Sequence, residues 1–220
     1  MPPVEFLDFL AAADLEALTA IGASRRYERD EALLAQDQVA DRVLVLRSGR
    51  AKVVSLTPAG TQAVLTFRGP GALIGEQALL DGRPRSATVI ALEPVEALSV
   101  AASAFRAYLS RRPELLFQLL SMLSERLRDS DRRLAQFAAA DTLGRVCARL
   151  LELCDAHGEA REGGMRITLP LTQEDLASWT GASIESTARS LRTLRRLGWI
   201  TTARLMITVH DVEAMRARAA

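Results

Sequence analysis

The chain is poor in the residues from which metal and redox sites are built. Its 220 residues include two cysteines, Cys147 and Cys154, and two histidines, His157 and His210. Metal and iron–sulfur sites need several such ligands at characteristic spacings, which these four residues do not have. The cysteines stand seven residues apart in a helical pattern, about 10.5 Å at the helical rise. A disulfide needs a shorter separation, so we expect two free, buried thiols. From the number and spacing of the four residues we expect no metal site.

Long apolar runs and a secretory signal are also missing. No stretch approaches the about 20 apolar residues of a membrane helix, and the first residues, Met1 to Glu5, lack a basic segment. These absences predict a cytoplasmic protein without membrane association. With so few cysteines and histidines, no nucleophile–base pair can be assembled, and no paired acid–base carboxylates stand out. We therefore do not expect an enzyme.

Net charge of either sign is nearly absent, because 28 basic residues face 27 acidic ones and leave +1. Any binding of nucleic acid must therefore come from a local basic patch. Lys52 is the only lysine, so the basic residues are almost all arginines. Arginine suits phosphate and guanine contacts, although the bias of a GC-rich bacterial genome explains the excess at least as well. The hydrophobic share of 49% with 25% charged residues is typical of one large or two small globular domains.

The stretch from Ile74 to Val89 carries the clearest chemical signal. Arg85 can fork onto two phosphate oxygens, and Ser86 can donate to the same anion. Glu76 can accept the proton of a sugar hydroxyl, and Gly75 lets the backbone approach a ligand closely. The run of Gly-Glu, an apolar pair, a short turn and Arg-Ser-Ala resembles the phosphate-binding cassette of cyclic-nucleotide-binding domains. The resemblance implies ligand contacts from seven residues: Gly75, Glu76, Gln77, Ala78, Arg85, Ser86 and Ala87.

The first half of the chain changes from a helical to a β pattern. Phe6 to Ile21 has apolar residues near helical spacing and predicts one amphipathic helix. From Arg25 to about Val100, short β-branched runs alternate with turn formers such as Pro58-Ala59-Gly60 and Asp81-Gly82. This pattern predicts a small β-barrel or jelly roll, with the cassette as a loop in its wall.

Pro113 opens a long helix with an apolar seam. Its apolar residues follow a spacing of four and three: Leu116, Leu120, Leu123, Leu127, Leu134 and Phe137. A seam of this length needs a partner, and a second copy of the helix is the simplest one, which predicts a homodimer. The alternative is that the seam packs on its own barrel. The helix ends at Ala138 to Ala140, and Asp141 is a candidate N-cap for the next one, Thr142 to His157. Gly158 to Gly164 then looks like a polar connector.

The C-terminal part carries a helix, a short glycine turn, a second helix and two short strands. Thr172 and Asp175 form a capping box, and Ser183 caps a helix from Ile184 to Leu197 that carries five charged residues: Glu185, Arg189, Arg192, Arg195 and Arg196. Gly198 ends this helix, and residues 199–209 read as a two-stranded wing with Arg204 at its tip.

This segment resembles a winged helix-turn-helix. With the cassette, nearly the whole chain resembles the superfamily of the cAMP receptor protein and the fumarate-nitrate regulator (Crp-Fnr). The resemblance implies an α+β protein: a cyclic-nucleotide-binding β-barrel over residues 1–110, a dimerisation helix over 111–137 and a winged helix-turn-helix over 138–220. It also implies double-stranded DNA, a second copy of the chain and RNA polymerase as partners, with cAMP as allosteric effector.

The family places the second helix in the DNA major groove. Carried over by position, Glu185 and Arg189 match residues that read base edges, since a carboxylate accepts from cytosine and arginine forks onto guanine. Ile184 stands where the cAMP receptor protein has a further guanine-reading arginine, so the half-site should differ at that base. Arg195, Arg196 and Arg204 are candidates for phosphates. The DNA-binding set is Ser183, Glu185, Ser186, Arg189, Arg192 and Arg204.

Ser130 interrupts the apolar seam, and a polar residue there normally has a register or ligand role. Ser130 and Asp131 fall where the cAMP receptor protein carries the Thr and Ser that hold adenine, one from each subunit. Asp131 could instead accept from guanine, which keeps cGMP open. The alternative is that both are solvated residues of a helix face.

Other types of signal and protein fit the sequence less well. The sequence has neither an N-terminal cysteine cluster nor a histidine within residues 1–137, which argues against redox or haem sensing. A regulatory nucleotide-binding module without DNA binding would not carry the helix-turn-helix, and a family member active without ligand stays open. The operator, the target genes, activation or repression, and the role of Cys147 and Cys154 are not indicated by the sequence.

Overall fold

The computed structural model describes residues 5–57 and 60–219. Most of the N-terminal segment, Met1 to Val4, and the predicted turn at Pro58 and Ala59 lie outside these ranges. The described chain divides into two compact units between Arg128 and Asp129, and each is described by itself below. Within the described residues, no helix is both long enough and apolar enough to cross a bilayer.

The first unit is built around two antiparallel four-stranded sheets, as the β pattern predicts. One sheet has the order β1-β8-β3-β6 and the other β2-β7-β4-β5. The strands are β1 Gly22–Tyr27, β2 Ala32–Leu34, β3 Arg42–Ser48, β4 Ala51–Leu56, β5 Gln62–Arg68, β6 Leu73–Ile74, β7 Thr88–Ala91 and β8 Val95–Ala101. The predicted α+β class, with a jelly-roll barrel in the first half of the chain, is confirmed.

Strand β3 shows how the sequence positions the two layers. Val43 and Val45 point into a cluster with the surrounding helices, whereas Leu44 and Leu46 point into the barrel interior. Since successive side chains alternate between the faces of a strand, a run of four apolar residues is the pattern of a strand buried on both sides. All four are at most 1% exposed.

Four α-helices lie wholly or partly in this unit: α1 Ala12–Ile21, α2 Glu76–Asp81, α3 Ala102–Ser110 and the start of α4 Pro113–Ala139. The buried face of α4 carries Leu115, Leu119 and Met122, which join the cluster beside β3. The seam predicted from the sequence is a different face. Of its residues in this unit, Leu120 and Leu127 are 48% and 63% exposed, whereas Leu123 packs against the same cluster.

Two local predictions for this unit are wrong. The expected single helix from Phe6 to Ile21 is a 3-10 helix, Phe6–Phe9, followed by α1 after an extended Leu10. Phe6 is buried against Phe105, and the extended backbone at Leu10 separates the two helical segments. The expected turn inside the cassette is the short helix α2, bounded by Gly75 and Gly82, both in left-handed conformation.

The second unit is a helical core with a small sheet, as the winged helix-turn-helix resemblance implies. Its helices after α4 are α5 Thr142–His157, α6 Gln173–Thr180, α7 Ile184–Arg196 and α8 Val212–Ala219. Its sheet has the order β11-β12-β10-β9, with β9 Gly158–Arg161, β10 Gly164–Ile167, β11 Ile200–Ala203 and β12 Met206–Val209. The predicted connector at Gly158 to Gly164 is thus a hairpin, paired to β12 through β10. The sequence reading also missed α8.

Candidate functional site

The cassette brings two buried charged residues together on the first unit. It runs from β6 through Gly75, α2 and Gly82 into an irregular arm, residues 83–87, that leads to β7. Glu76 is 4% exposed and Arg85 is 3% exposed. Charged side chains are almost never this buried unless they are paired, so the partners of each decide what the site can bind.

The Arg85 guanidinium is anchored on one side and open on the other. Its Nη2 donates to the Arg42 carbonyl oxygen at 2.7 Å and to Asp41 Oδ1 at 3.2 Å. Although burial opposes it, Arg42 and Arg85 hold the pKa of the Asp41 carboxyl below its usual value. Nη1 is buried and has no hydrogen-bond partner among the residues that the structure describes. Since buried donors are nearly always satisfied, an acceptor from outside the chain fits this position.

The backbone of the arm is held to the loop that carries Asp41. The Arg85 N–H donates to the Gln38 carbonyl at 2.9 Å, and the Asp37 N–H donates to the Arg85 carbonyl at 2.9 Å. Arg85 is therefore held both at its backbone and at the Nη2 atom of its guanidinium. Such preorganisation reduces the ordering cost when an anion binds.

The Glu76 carboxylate is held by an arginine that the sequence reading missed. Arg126 on α4 donates from Nη1 to Glu76 Oε1 at 2.6 Å and from Nη2 to the Leu73 carbonyl at 3.2 Å. Glu5 Oε2 lies 3.7 Å from Arg126 Nη2, and burial raises the pKa of the Glu5 carboxyl against the lowering effect of Arg68 and Arg126. Nothing in the sequence separates Arg126 from its neighbours on α4, because its role depends on long-range folding.

The other cassette residues have distinct places. Ser86 and Gln77 are exposed and meet through a hydrogen bond from Ser86 Oγ to Gln77 Oε1 at 3.3 Å. Ala78 on α2 is buried, and Ala87 is half-buried. The structure thus brings Gly75, Glu76, Arg85, Gln77 and Ser86 to one part of the barrel wall.

Ser130 and Asp131 belong to the second unit and are both exposed on α4. Their place as base-contacting residues stays a prediction. Cys147 and Cys154 are free and buried on α5, as predicted, and burial raises the pKa of each thiol to about 11. They therefore behave as small apolar side chains at neutral pH.

The helix-turn-helix of the second unit has the caps that its sequence predicts. Thr172 Oγ1 accepts from the Asp175 N–H at 3.0 Å, and Asp175 accepts from the Thr172 N–H at 3.3 Å. Gly181 ends α6 in left-handed conformation with φ of 61°. Ser183 Oγ then accepts from the Ser186 N–H at 3.1 Å and caps α7.

Helix α7 has one buried and one charged face. Thr187, Ser190, Leu191 and Leu194 are buried. Glu185, Arg189 and Arg192 are exposed, and Arg189 Nη2 lies 3.0 Å from Glu185 Oε1. Exposed pairs of this kind contribute little stability, so both side chains can exchange this contact for another partner.

The wing lies beside the end of α7. Arg195 donates to Thr202 Oγ1 of β11 at 3.1 Å, and Arg204 is exposed at the tip between β11 and β12. Ser183 and Ser186 also interact through their hydroxyls at 3.0 Å. They are part of the cap, which sets the direction in which α7 leaves the turn.

Comparison with known proteins gives the same division of the chain. Residues 24–112 match the family of the cyclic nucleotide-binding domain, and residues 144–218 match the Crp-like helix-turn-helix domain. A CRP-like cAMP-activated global transcriptional regulator of Mycobacterium tuberculosis is 33% identical over 193 residues, which cover 88% of this chain and 86% of the relative.

Two solved structures share the fold. TTHB099, a CRP-family transcriptional regulator of Thermus thermophilus, has a TM-score of 0.75 at 25% identity, covering 89% of this chain and 96% of that chain. The c-di-GMP-responsive global regulator CLP of Xanthomonas campestris has a TM-score of 0.81 at 20% identity, covering 91% and 100%. At that identity the second likeness concerns the fold alone. The relatives are transcription regulators and not enzymes, in agreement with the prediction.

Proposed function

The chain belongs to the Crp-Fnr superfamily of transcriptional regulators, and on that premise we propose that it is a cytoplasmic homodimer that binds palindromic operator DNA under the control of cAMP. The curated relative in Mycobacterium tuberculosis is described as cAMP-activated, which favours cAMP over other effectors. Recruitment of RNA polymerase is part of this proposal. We assign the functional domains to residues 1–110, 111–137 and 138–220.

The observation that carries the proposal is the open Nη1 of Arg85. Nη2 is occupied by Asp41 and the Arg42 carbonyl, while Nη1 is buried without a partner among the described residues. A phosphate oxygen is the acceptor that such a donor prefers, because the hydrogen bond is charge-assisted. A cyclic phosphate carries one negative charge, and it would share the guanidinium with the Asp41 carboxylate, whose Oδ1 lies 3.2 Å from Nη2.

Glu76 would take the sugar. One of its oxygens accepts from Arg126 at 2.6 Å, and an ionised carboxylate has further lone pairs for a ribose hydroxyl. The cation beside it also offsets the free-energy cost of burying this carboxylate. The cassette thus offers a cationic position at Arg85 and an acceptor at Glu76.

For the base we propose Ser130 and Asp131 on α4. Their oxygens can accept from the exocyclic amine of adenine. The Asp131 carboxylate also suits the N1–H and N2–H₂ of guanine, so cGMP is the competing effector.

The exposed seam of α4 supports dimerisation. Its residues Leu120, Leu127 and Leu134 are 48%, 63% and 70% exposed. The seam runs beside the face of α4 that buries Leu115, Leu119 and Met122. Apolar residues in a heptad pattern on one long helix are typical of a coiled-coil interface. A second copy of the chain supplies a complementary seam, and two-fold symmetry would place two recognition helices on one palindrome.

For DNA, α7 presents Glu185 and Arg189 on its exposed face. We propose that they read base edges, and that Arg192 and Arg204 contact the duplex alongside them, with Ser183 and Ser186 at the start of the helix. The aliphatic Ile184, 52% exposed, predicts a half-site that does not select guanine through that position.

Calorimetric titration of the full-length protein with cAMP and with cGMP tests the effector. We expect saturable binding of cAMP with the higher affinity, followed by a cAMP-dependent shift of genomic DNA fragments. Tighter binding of cGMP would identify cGMP, and not cAMP, as the effector. DNA binding that is independent of both nucleotides would contradict the proposed switch.

A further inference from the structure

The last turns of α4 contact the helix-turn-helix of their own chain within the second unit. Three side chains are involved, and we call them the α4 clasp: Arg133, Gln136 and Phe137. The sequence pattern places Phe137 on the apolar seam, but its ring also contacts the turn between α6 and α7. The clasp lies outside the exposed face of α7, so it has no part in the DNA contacts proposed above.

Phe137 packs directly on the turn glycine. A Cβ atom at Gly181 would lie 2.6 Å from Phe137 Cε2, closer than any real contact. The Arg145 guanidinium lies over the same ring at 4.8 Å from its centroid. Arg145 also donates to the Thr180 carbonyl at 2.9 Å and to the Ala140 carbonyl at 2.8 Å. The end of α6 and the end of α4 are therefore joined through one ring and one guanidinium.

Trp179, on α6, is held by two further arginines. The Arg133 and Arg149 guanidiniums lie 5.6 Å and 5.4 Å from the centroid of its ring, within cation–π range. Arg149 donates to Gln136 Oε1 at 2.6 Å and pairs with Glu152, and Arg133 Nε lies 3.4 Å from Glu152 Oε2. This network links the α4 clasp to α5 and α6.

The turn at Gly181 sets the start of the recognition helix, α7. Ser183, its N-cap, follows two residues later, so a shift of the turn moves α7 with it. Gly181 is left-handed with φ of 61°, a conformation that other residues reach only at a cost. The backbone therefore favours glycine, and any Cβ at this position would displace the Phe137 ring.

We propose that Phe137 and Arg133 are positioning residues for DNA recognition, which hold α6 and the turn so that α7 meets the major groove in one orientation. This inference rests on the proposed DNA binding. Loss of the clasp would leave every DNA-contacting side chain in place but would spread the orientations of α7. Specific binding should then fall more than non-specific binding, which depends on phosphate contacts without base readout.

A double-mutant cycle in the full-length protein tests the contact. The probe is a duplex selected in vitro from a random library by the cAMP-loaded wild type. We expect Phe137→Ala to weaken binding of this duplex about tenfold while its mass in sedimentation equilibrium stays that of the wild-type dimer, with affinities for cAMP and for random-sequence DNA within about twofold of wild type. Gly181→Ala should weaken duplex binding strongly in the wild type and less in the Phe137→Ala background, because the clash with the ring is gone there.

Equal effects of Gly181→Ala in both backgrounds, or wild-type affinity of Phe137→Ala, would overturn the inference. If Phe137→Ala does not fold, Arg133→Met replaces it, with Arg132→Met as the matched control, since Arg132 pairs with Asp129 instead of Trp179. Weakening by Arg133→Met alone supports the clasp, and equal affinities of the two variants contradict it. Failure of the wild type to select any duplex would instead contradict the proposed DNA binding.

Discussion

Arg85 Nη1 occupies the space that a side chain at Gly75 would need. A Cβ atom at Gly75 would lie 2.6 Å from this nitrogen, and the backbone there has φ of 83°. The glycine of the cassette therefore serves the arginine ten residues later. It allows the turn into α2, and it leaves room for the guanidinium that we propose binds the phosphate.

Gly75→Ala should lower the affinity for cAMP, because the new methyl group displaces the guanidinium. Gly82→Ala is the matched control: its φ is 71°, similarly left-handed, but nothing lies within 4 Å of the added Cβ. Both variants share the backbone strain of about 1–2 kcal/mol, so calorimetry isolates the effect of the added methyl group on its neighbours, Arg85 Nη1 and, at 2.9 Å, Leu34 Cδ1. Equal affinities of the two variants would mean that the contact with Arg85 has no role in binding.

Arg126→Met should destabilise the first unit by about 3 kcal/mol, because it leaves the buried Glu76 carboxylate without its cation. Urea unfolding followed by circular dichroism measures the change. Arg128→Met is the control, since Arg128 forms an exposed pair with Glu125 on the same helix that contributes about 0.5 kcal/mol or less. A loss no greater than that of the control would show that the pair does not stabilise the unit.

Leu134→Glu should convert the dimer to a monomer, because two like charges would face each other on the seam. Sedimentation equilibrium across a concentration series measures the mass. Leu65→Glu, on the exposed side of β5, should leave the dimer intact. A dimer that persists in Leu134→Glu would place the interface elsewhere.

Arg189→Ala should relax base preference at one position of the half-site while a weaker, salt-dependent background remains. Binding of a set of single-base variants of the selected duplex measures this. Arg204→Ala should weaken all variants alike and reduce the salt slope by about 0.9. If selectivity survives in Arg189→Ala, this residue of α7 does not read the base.

Cys147 and Cys154 should resist alkylation in the native protein at pH 8. Burial raises the pKa of both thiols to about 11, so the reactive thiolate is scarce until the pH rises toward that value. Mass spectrometry after iodoacetamide treatment, with and without urea, measures the modification. Rapid labelling of the folded protein would contradict the buried position on α5.

The sequence predicts what local patterns determine. The apolar run at Val43 to Leu46 indicates a buried strand. The capping residues Asp141, Thr172 and Ser183 stand immediately before helices that begin at the predicted positions. Arg126 could not be found in this way, because its partners Glu76 and Leu73 meet it only after α4 has packed on the barrel.

Polar and short elements are the other class that local patterns miss. Strand β9, Gly158–Arg161, has no buried apolar alternation and is mostly exposed, so only its pairing with β10 makes it a strand. A long-range contact of Phe137 was also not predictable from local patterns. Heptad spacing places Phe137 on the seam, whereas its contact with Gly181 depends on the tertiary fold of the second unit.

The most direct test of the account is calorimetric titration of Arg85→Ala with cAMP. Arg83→Ala is the matched control, because Arg83 lies on the same arm with its side chain exposed. We expect saturable binding to wild type and to Arg83→Ala, and no measurable binding to Arg85→Ala. Unchanged affinity of Arg85→Ala would contradict the claim that the open guanidinium holds the phosphate of a cyclic nucleotide.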